Sequence, residues 1–182
     1  FHADITQLQL SYDGRKKEAI VLPMKFPLLL SEGVEGIAVG LSTKLMLHNF
    51  IEILEGCIAI LMGKETMLLP DFLTGGLLDA SLYNRGKRGG KIRVRAQIQA
   101  VDKKNLIITQ IPYGCTKGSI IDSILKDNDK GQIKIKKVVD NTANDVEIAI
   151  ELNPGISPDP TIDELYDFKE CKKTISPKAS II

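Results

Sequence analysis

Six cations fall within eleven residues of the stretch YNRGKRGGKIRVRAQ: Arg85, Lys87, Arg88, Lys91, Arg93 and Arg95, with no acid among them. KIKK adds Lys134, Lys136 and Lys137, while acids gather in DPTIDELYD and NDVEIAIE. The formal net charge is only +1, so the chain as a whole has little pull on a polyanion. Segregated charge can still give it one basic face. Strand alternation would set Lys91, Arg93 and Arg95 on one side at intervals of roughly 6–7 Å, close to the phosphate repeat along one strand of a duplex. The solvated outer face of a half-buried strand has the same pattern. Tyr83 is the only aromatic side chain in the stretch, which argues against stacking on single-stranded bases.

A second stretch, EGVEGIAVGLSTKLMLHNF, spaces Gly33, Gly36 and Gly40 around Ile37 and then runs on as an apolar segment. Read from the residues alone, Ile37 is either core or a side chain held at a glycine-flanked turn against something outside the protein. His48 and Asn49 close the stretch. His48 has two readings: a local capping or surface role, or a donor aimed at a phosphate beside a helix N-terminus, which favours anions.

Other chemistry is excluded by spacing. GVEGIAVG does not fit G-x-G-x-x-G, and RGKRGG lacks the glycine and the Ser/Thr of a phosphate-binding P-loop. No G-x-S-x-G is present, and only His2 and His48 could act as an imidazole base. Cys57, Cys115 and Cys171 are too far apart for a zinc spacing and odd in number, so reduced thiols are expected rather than a disulfide framework.

The elements that must position these residues follow from periodicity. NFIEILEGCIAILMG predicts a helix with Phe50, Ile53, Leu54, Cys57, Ile58 and Leu61 on one apolar face, Asn49 as N-cap, Glu52 completing a capping box and Gly63 as the stop. Gly56 inside that helix implies a close neighbour. SYDGRKK predicts a turn at Asp13-Gly14, AIVLP a short strand, and PMKFPLLLSEG a short helix or turn ending at Gly33. KIRVRAQIQ alternates with Ile92, Val94, Ala96 and Ile98 on one face and predicts a strand whose partner is LIITQIP. KGSIIDSILKDN predicts a helix with Ile120, Ile121, Ile124 and Leu125 inward. QIKIKKVVD and DVEIAIEL predict a second strand pair, TIDELYDF a short helix capped by Asp159 or Thr161, and KKTISP a last strand. Helices among antiparallel pairs imply an α+β fold: a mostly antiparallel sheet domain with flanking helices over residues 73–182, preceded by a mostly helical segment over 1–72. At 182 residues, 43% hydrophobic and 26% charged, the chain can bury a real core. No apolar run reaches the ~20 residues of a membrane helix. FHADITQ carries no initiator Met and no signal-peptide pattern, so a piece of a longer polypeptide is expected.

Taken in order, YDG, LPMKFPLLL, EGIAVGLST, HNFIEILEGCIA, PDFLTGG, RGGKIRVRAQI, IPYGCTKGSIIDSI and VEIAIEL resemble the A subunit of bacterial type IIA DNA topoisomerases, the gyrase and topoisomerase IV family. The likeness runs from about Tyr12 to Ser176, and NRGKRGGKIRVRA and TIDELYDF look closer to the topoisomerase IV type. The resemblance implies the end of a breakage-reunion core followed by a tower domain. It also implies duplex DNA as a partner, a second copy of the same subunit, and an ATP-hydrolysing B subunit that supplies Mg²⁺ and ATP, with no cofactor in this chain. The setting implied is the bacterial cytoplasm, not a membrane. In relatives the isoleucine matching Ile37 wedges between base pairs, so the implied DNA-binding set is Ile37, Lys25, Lys44, His48 and Asn49 with the basic stretch. The family's nucleophilic tyrosine follows an arginine. Tyr12, Tyr83, Tyr113 and Tyr166 follow Ser, Leu, Pro and Leu, so that tyrosine is expected upstream of Phe1 and the exit-gate coiled coil beyond Ile182. Departures from the pattern are Lys25 in place of Arg, which keeps charge but not the fork, and Leu45-Met46-Leu47 where relatives carry prolines before the His-Asn pair. Leu73 stands for another proline, and Glu32 and Glu35 flank the wedge. A different class also fits the bare residues: a non-catalytic α+β interaction or scaffold domain whose basic strand is merely solvated.

Overall fold

The computed structural model describes residues 3–167 and 170–180; His2 lies outside them. The chain begins with a small hairpin, β1 (Leu8–Leu10) and β2 (Lys17–Ala19), turned at Gly14. The apolar Ile20, Val21 and Leu22 follow the second strand and are exposed, so the strand expected over AIVLP is shifted toward Lys17. Helix α1 (Leu28–Glu32) ends at Gly33 as expected. A second hairpin, β3 (Val34–Ala38) with β4 (Leu41–Leu45), leads to α2 (Phe50–Leu61).

A three-stranded antiparallel sheet has the order β11-β6-β5, from β5 (Leu77–Asp79), β6 (Ile92–Arg95) and β11 (Lys172–Ile175). A four-stranded antiparallel sheet has the order β7-β8-β10-β9, from β7 (Gln97–Ala100), β8 (Asn105–Gln110), β9 (Ile135–Asp140) and β10 (Ile148–Leu152). Helices α3 (Lys117–Asp129) and α4 (Pro158–Asp167) cover its inner face. The fold is α+β, as the pattern implies.

Two apolar clusters hold this together. The larger joins Ile98, Leu106, Ile108, Ile148 and Ile150 of the sheet to Ile120, Ile124 and Leu165 of the helices. The smaller joins Met46 and Phe72 to Tyr83, Ile92, Val94 and Ile175. Each fully buried Ile or Leu contributes roughly 1.5–3 kcal/mol relative to exposure.

Four expectations are corrected in detail. KIRVRAQIQ alternates in burial as read, but it is two strands: the chain breaks at Ala96, where β6 leaves one sheet and β7 enters the other. LIITQIP therefore partners only the second half. In α3, Leu125 is exposed and Ile121 half-buried, while Asp127 is buried. Helix α4 begins at Pro158, so Asp159 and Thr161 lie inside it. Buried Thr161 donates its hydroxyl to the Ser157 carbonyl at 2.9 Å, and proline suits a first helical turn because it has no N–H to leave unpaired.

Candidate nucleic-acid interface

The hairpin β3–β4 pairs Ile37 with Ser42 and Glu35 with Lys44, and turns through Val39 and Gly40. Gly40 sits at φ 75°, a conformation that disfavours a side chain. This puts Ile37 near the tip of a two-stranded ribbon. Ile37 is 89% exposed and Val39 fully so. Of the two readings left open by sequence, the outward one describes its position. Directly opposed residues share a face, so Ile37, Ser42 and the Glu35–Lys44 pair project from the same side. The Lys44 ammonium lies 2.9 Å from the Glu35 carboxylate, so this cation is already neutralised.

Behind the hairpin, α2 starts where the Asn49 side chain accepts hydrogen bonds from the N–H groups of Ile51 and Glu52 at 2.9 and 3.4 Å. Such a cap is worth about 1 kcal/mol. Asn49 caps as expected, and its amide donates to Asp71 at 3.3 Å. A reciprocal capping box forms instead at α3, between Thr116 and Ser119. The close neighbour implied by Gly56 is Leu68, 3.5 Å from where a Cβ would stand. The expected apolar face of α2 is largely unburied: Ile53 and Gly56 are covered, while Phe50, Leu54, Ile58 and Leu61 are exposed.

His48 overturns the surface reading by its position. It is buried, not on the surface, with Nδ1 3.3 Å from the Leu30 carbonyl and Nε2 3.2 Å from the Tyr83 hydroxyl. A carbonyl can only accept, so Nδ1 donates to Leu30, and in the neutral ring Nε2 accepts from the Tyr83 hydroxyl. Burial pushes the Tyr83 hydroxyl above its usual range, which keeps that donor protonated. Both ring nitrogens are thus engaged inside the protein, where His48 ties α1 to the turn after β5.

The basic stretch is divided between two places. Arg93 and Arg95 project from the outer face of β6, opposite Thr174 and Lys172 on one side and Asp79 and Leu77 on the other. The Arg95 guanidinium lies 5.2 Å over the Tyr166 ring, and Lys172 pairs with Asp167 at 3.7 Å. Ser81 hydrogen bonds hold the Asp79 carboxyl below the usual carboxylate range, with smaller help from Arg93 and Arg95. Arg85, Lys87, Arg88 and Lys91 are exposed on the loop before β6. Gly90 is required there, because a Cβ would stand 2.3 Å from the Tyr83 carbonyl oxygen. Arg85 sits at φ 51°, rare for a residue with a side chain. Arg85 and Lys44 line one apolar cavity of about 690 Å³ together with Met24, Phe26, His48 and Tyr83. Lys25 is exposed on the segment before α1.

Sequence reasoning missed Lys178. The backbone of Lys178 pairs with that of Lys44 through two hydrogen bonds of 2.7 and 2.9 Å. No local signal links residues so far apart in the chain.

Among the described residues no helix is long and apolar enough to cross a membrane. A family model for the A-type subunits of DNA gyrase and topoisomerase IV matches residues 1–182. The chain is 40% identical over 176 residues to the A-type subunit of DNA topoisomerase 4 from Borreliella burgdorferi, covering 97% of this chain and 28% of that protein. It is 32% identical over 191 residues to the A-type subunit of DNA gyrase from Chlamydia trachomatis, covering 94% and 23%. With the A-type subunit of DNA topoisomerase 4 from Caulobacter vibrioides the identity is 30% over 182 residues, covering 90% and 24%. The chain thus spans less than a third of the length of these curated relatives.

Proposed function

The chain belongs to the family of A-type subunits of DNA gyrase and topoisomerase IV, and from that premise we propose that it binds and bends duplex DNA as part of a strand-passing enzyme. The observation that carries this reading is Ile37, 89% exposed at the tip of a glycine-turned hairpin. Folding gains nothing from leaving an isoleucine in water. Wedged between base pairs, the same side chain would be dehydrated and would recover roughly 1.5–3 kcal/mol.

That gain does not suffice alone. Unstacking a step costs a few kcal/mol, and smooth bending of the flanking duplex adds about 1–6 kcal/mol. The balance must come from phosphate contacts, for which Lys25, Arg85, Lys87, Arg88, Lys91, Arg93 and Arg95 are exposed cations. Lys44 and Asn49 stand near the wedge but already have protein partners. His48 acts in this reading by holding α1 and Tyr83 in place.

Strand cleavage is not assigned to a tyrosine of this chain. Tyr83 is buried against His48, Tyr113 stacks on Phe72 at 4.5 Å, and the Tyr166 hydroxyl donates to the Ala96 carbonyl. Tyr12 is fully exposed but follows Ser11. In this reading residues 1–72 close the breakage-reunion core and 73–182 form the tower. A second copy of the same subunit, and a B subunit bringing ATP and Mg²⁺, complete the enzyme in the bacterial cytoplasm. This chain by itself should not relax or cleave DNA.

The test is binding to a duplex labelled at both ends. Affinity is expected to fall steeply with salt, at about 0.9 log units per log unit of salt for each phosphate contacted, and energy transfer is expected to report a bend. Affinity that ignores salt, or no binding at low salt, favours a scaffold domain, a reading that the carboxylate of Asp79 amid the β6 cations keeps in play.

A further inference from the structure

The residues after β11 meet the hairpin in an isolated antiparallel bridge at Lys44 and Lys178. Besides the paired backbones of Lys44 and Lys178, the Thr43 hydroxyl donates to the Lys178 carbonyl at 3.2 Å. The Ser180 hydroxyl donates to the Ser42 carbonyl at 3.0 Å. One residue along, the Ala179 N–H donates to the Gly86 carbonyl at 3.0 Å, which fastens the same segment to the turn that holds Arg85 in its left-handed conformation. The segment 177–180 therefore braces the wedge hairpin against the start of the basic loop.

The side chain of Lys178 is directed by this brace. Its ammonium donates to the Ser42 hydroxyl at 2.9 Å, and Ser42 is the cross-strand partner of Ile37. Lys178 is half-buried, and among the described residues no carboxylate pairs with it. Its neighbour Lys44, on the same strand pair, has Glu35. An ammonium has three donors, and a single hydroxyl takes one while leaving the charge uncompensated. A partly desolvated, unneutralised cation favours an anion, and this one stands beside the side chain read as entering the base stack.

We infer that Lys178 is a phosphate contact of the wedge hairpin, neutralising the DNA backbone next to the step that Ile37 opens. The inference rests on the reading of the hairpin as a wedge. Lys178→Gln keeps a donor for Ser42 and removes the charge. It is expected to make the salt dependence of duplex binding shallower by about 0.9 and to weaken low-salt affinity several-fold, while the bend at saturating protein stays as in the parent. Lys178→Arg is expected to keep the parent slope, and Lys137→Gln, on the distant strand β9, to leave slope and affinity as they are. A parent slope in Lys178→Gln, or an equal loss in Lys137→Gln, overturns the inference while the wedge reading stands, provided Ile37→Ala still abolishes bending. A parent chain that does not bend DNA removes both. Far-ultraviolet circular dichroism and thermal melts on each variant separate lost contacts from lost fold.

Discussion

Helices α2 and α3 have 12 and 13 residues and both begin at side-chain N-caps, yet they use their apolar side chains in opposite ways. Helix α3 sinks Ile120 and Ile124 completely into the core against the four-stranded sheet. Helix α2 is the more apolar of the two and buries only Ile53 and Gly56, with Phe50, Ile51, Leu54, Ile58, Ile60 and Leu61 in solvent. The contrast extends to whole regions. Exposed large apolar side chains crowd residues 5–82, whereas beyond Leu82 only Val101 and Leu125 are exposed among the described residues. One region is packed against itself and the other leaves much of its apolar surface uncovered. An amphipathic pattern therefore specifies a face to be covered, and leaves open which molecule covers it.

The largest expected effect tests that contrast directly. Ile124→Ala removes a side chain 1% exposed and should lower stability by about 2–5 kcal/mol. Ile58→Ala, half exposed on α2, should change it by no more than about 0.5 kcal/mol, since little burial is lost and alanine favours helix. Chemical denaturation of both variants measures the gap. Equal losses would mean that α2 is as much a part of this chain's own core as α3, and the contrast would collapse.

The proposed wedge gives the next largest effect. Ile37→Ala should leave the unfolding free energy within the surface range of about ±0.5 kcal/mol, because the side chain touches solvent. In a duplex-bending assay it should forfeit the roughly 1.5–3 kcal/mol that dehydrating the isoleucine supplies. A large loss of stability with bending intact would move Ile37 from the outward region to the inward one.

What could be read from sequence divides along the same line. In the inward region, alternation located Ile92, Val94 and Ile98, and helical spacing located Ile120 and Ile124, because a buried face imprints its period on the chain. The same signal missed the break at Ala96: its side chain is buried on both sides of the change of sheet, so the period runs through it. In the outward region, caps and turns were legible at Asn49, Gly33 and Gly40, where backbone geometry demands a residue type. The stripe on α2 was legible, but period cannot say what faces it. His48 and Lys178 were illegible in place for a different reason. Their surroundings come from Tyr83 and Ser42, distant in sequence, and no local rule carries that information.

The interior of the inward region can be sharpened by titration. Burial pushes the Cys171 thiol from an ordinary 9.0 up to about 12, with Cys115, Glu170 and Asp127 adding to the effect. Between those values the folded chain keeps a proton that the unfolded chain has released. Stability contributed by the buried thiol is present below pH 9 and is lost as pH rises, by about 1.4 kcal/mol per unit. Cys171→Ala should start less stable and show a slope shallower by that amount between pH 9 and 11, read from denaturation midpoints at each pH. Parallel slopes would mean that solvent reaches the thiol and the inward core is less closed than its packing implies.

The smallest expected effect lies at the outward tip, where Glu35 holds Lys44 in an ion pair with the carboxylate well exposed. Such pairs contribute about 0.2–1 kcal/mol, so Glu35→Gln should cost stability at most that much. The same change removes a negative charge from the face that carries Ile37 and frees one cation. If that face meets phosphate, the variant should bind duplex several-fold more tightly at low salt, with a salt slope steeper by up to about 0.9. Stability and binding would then move in opposite directions from a single substitution. Affinity and salt slope that stay as in the parent would mean that Lys44 serves only the hairpin.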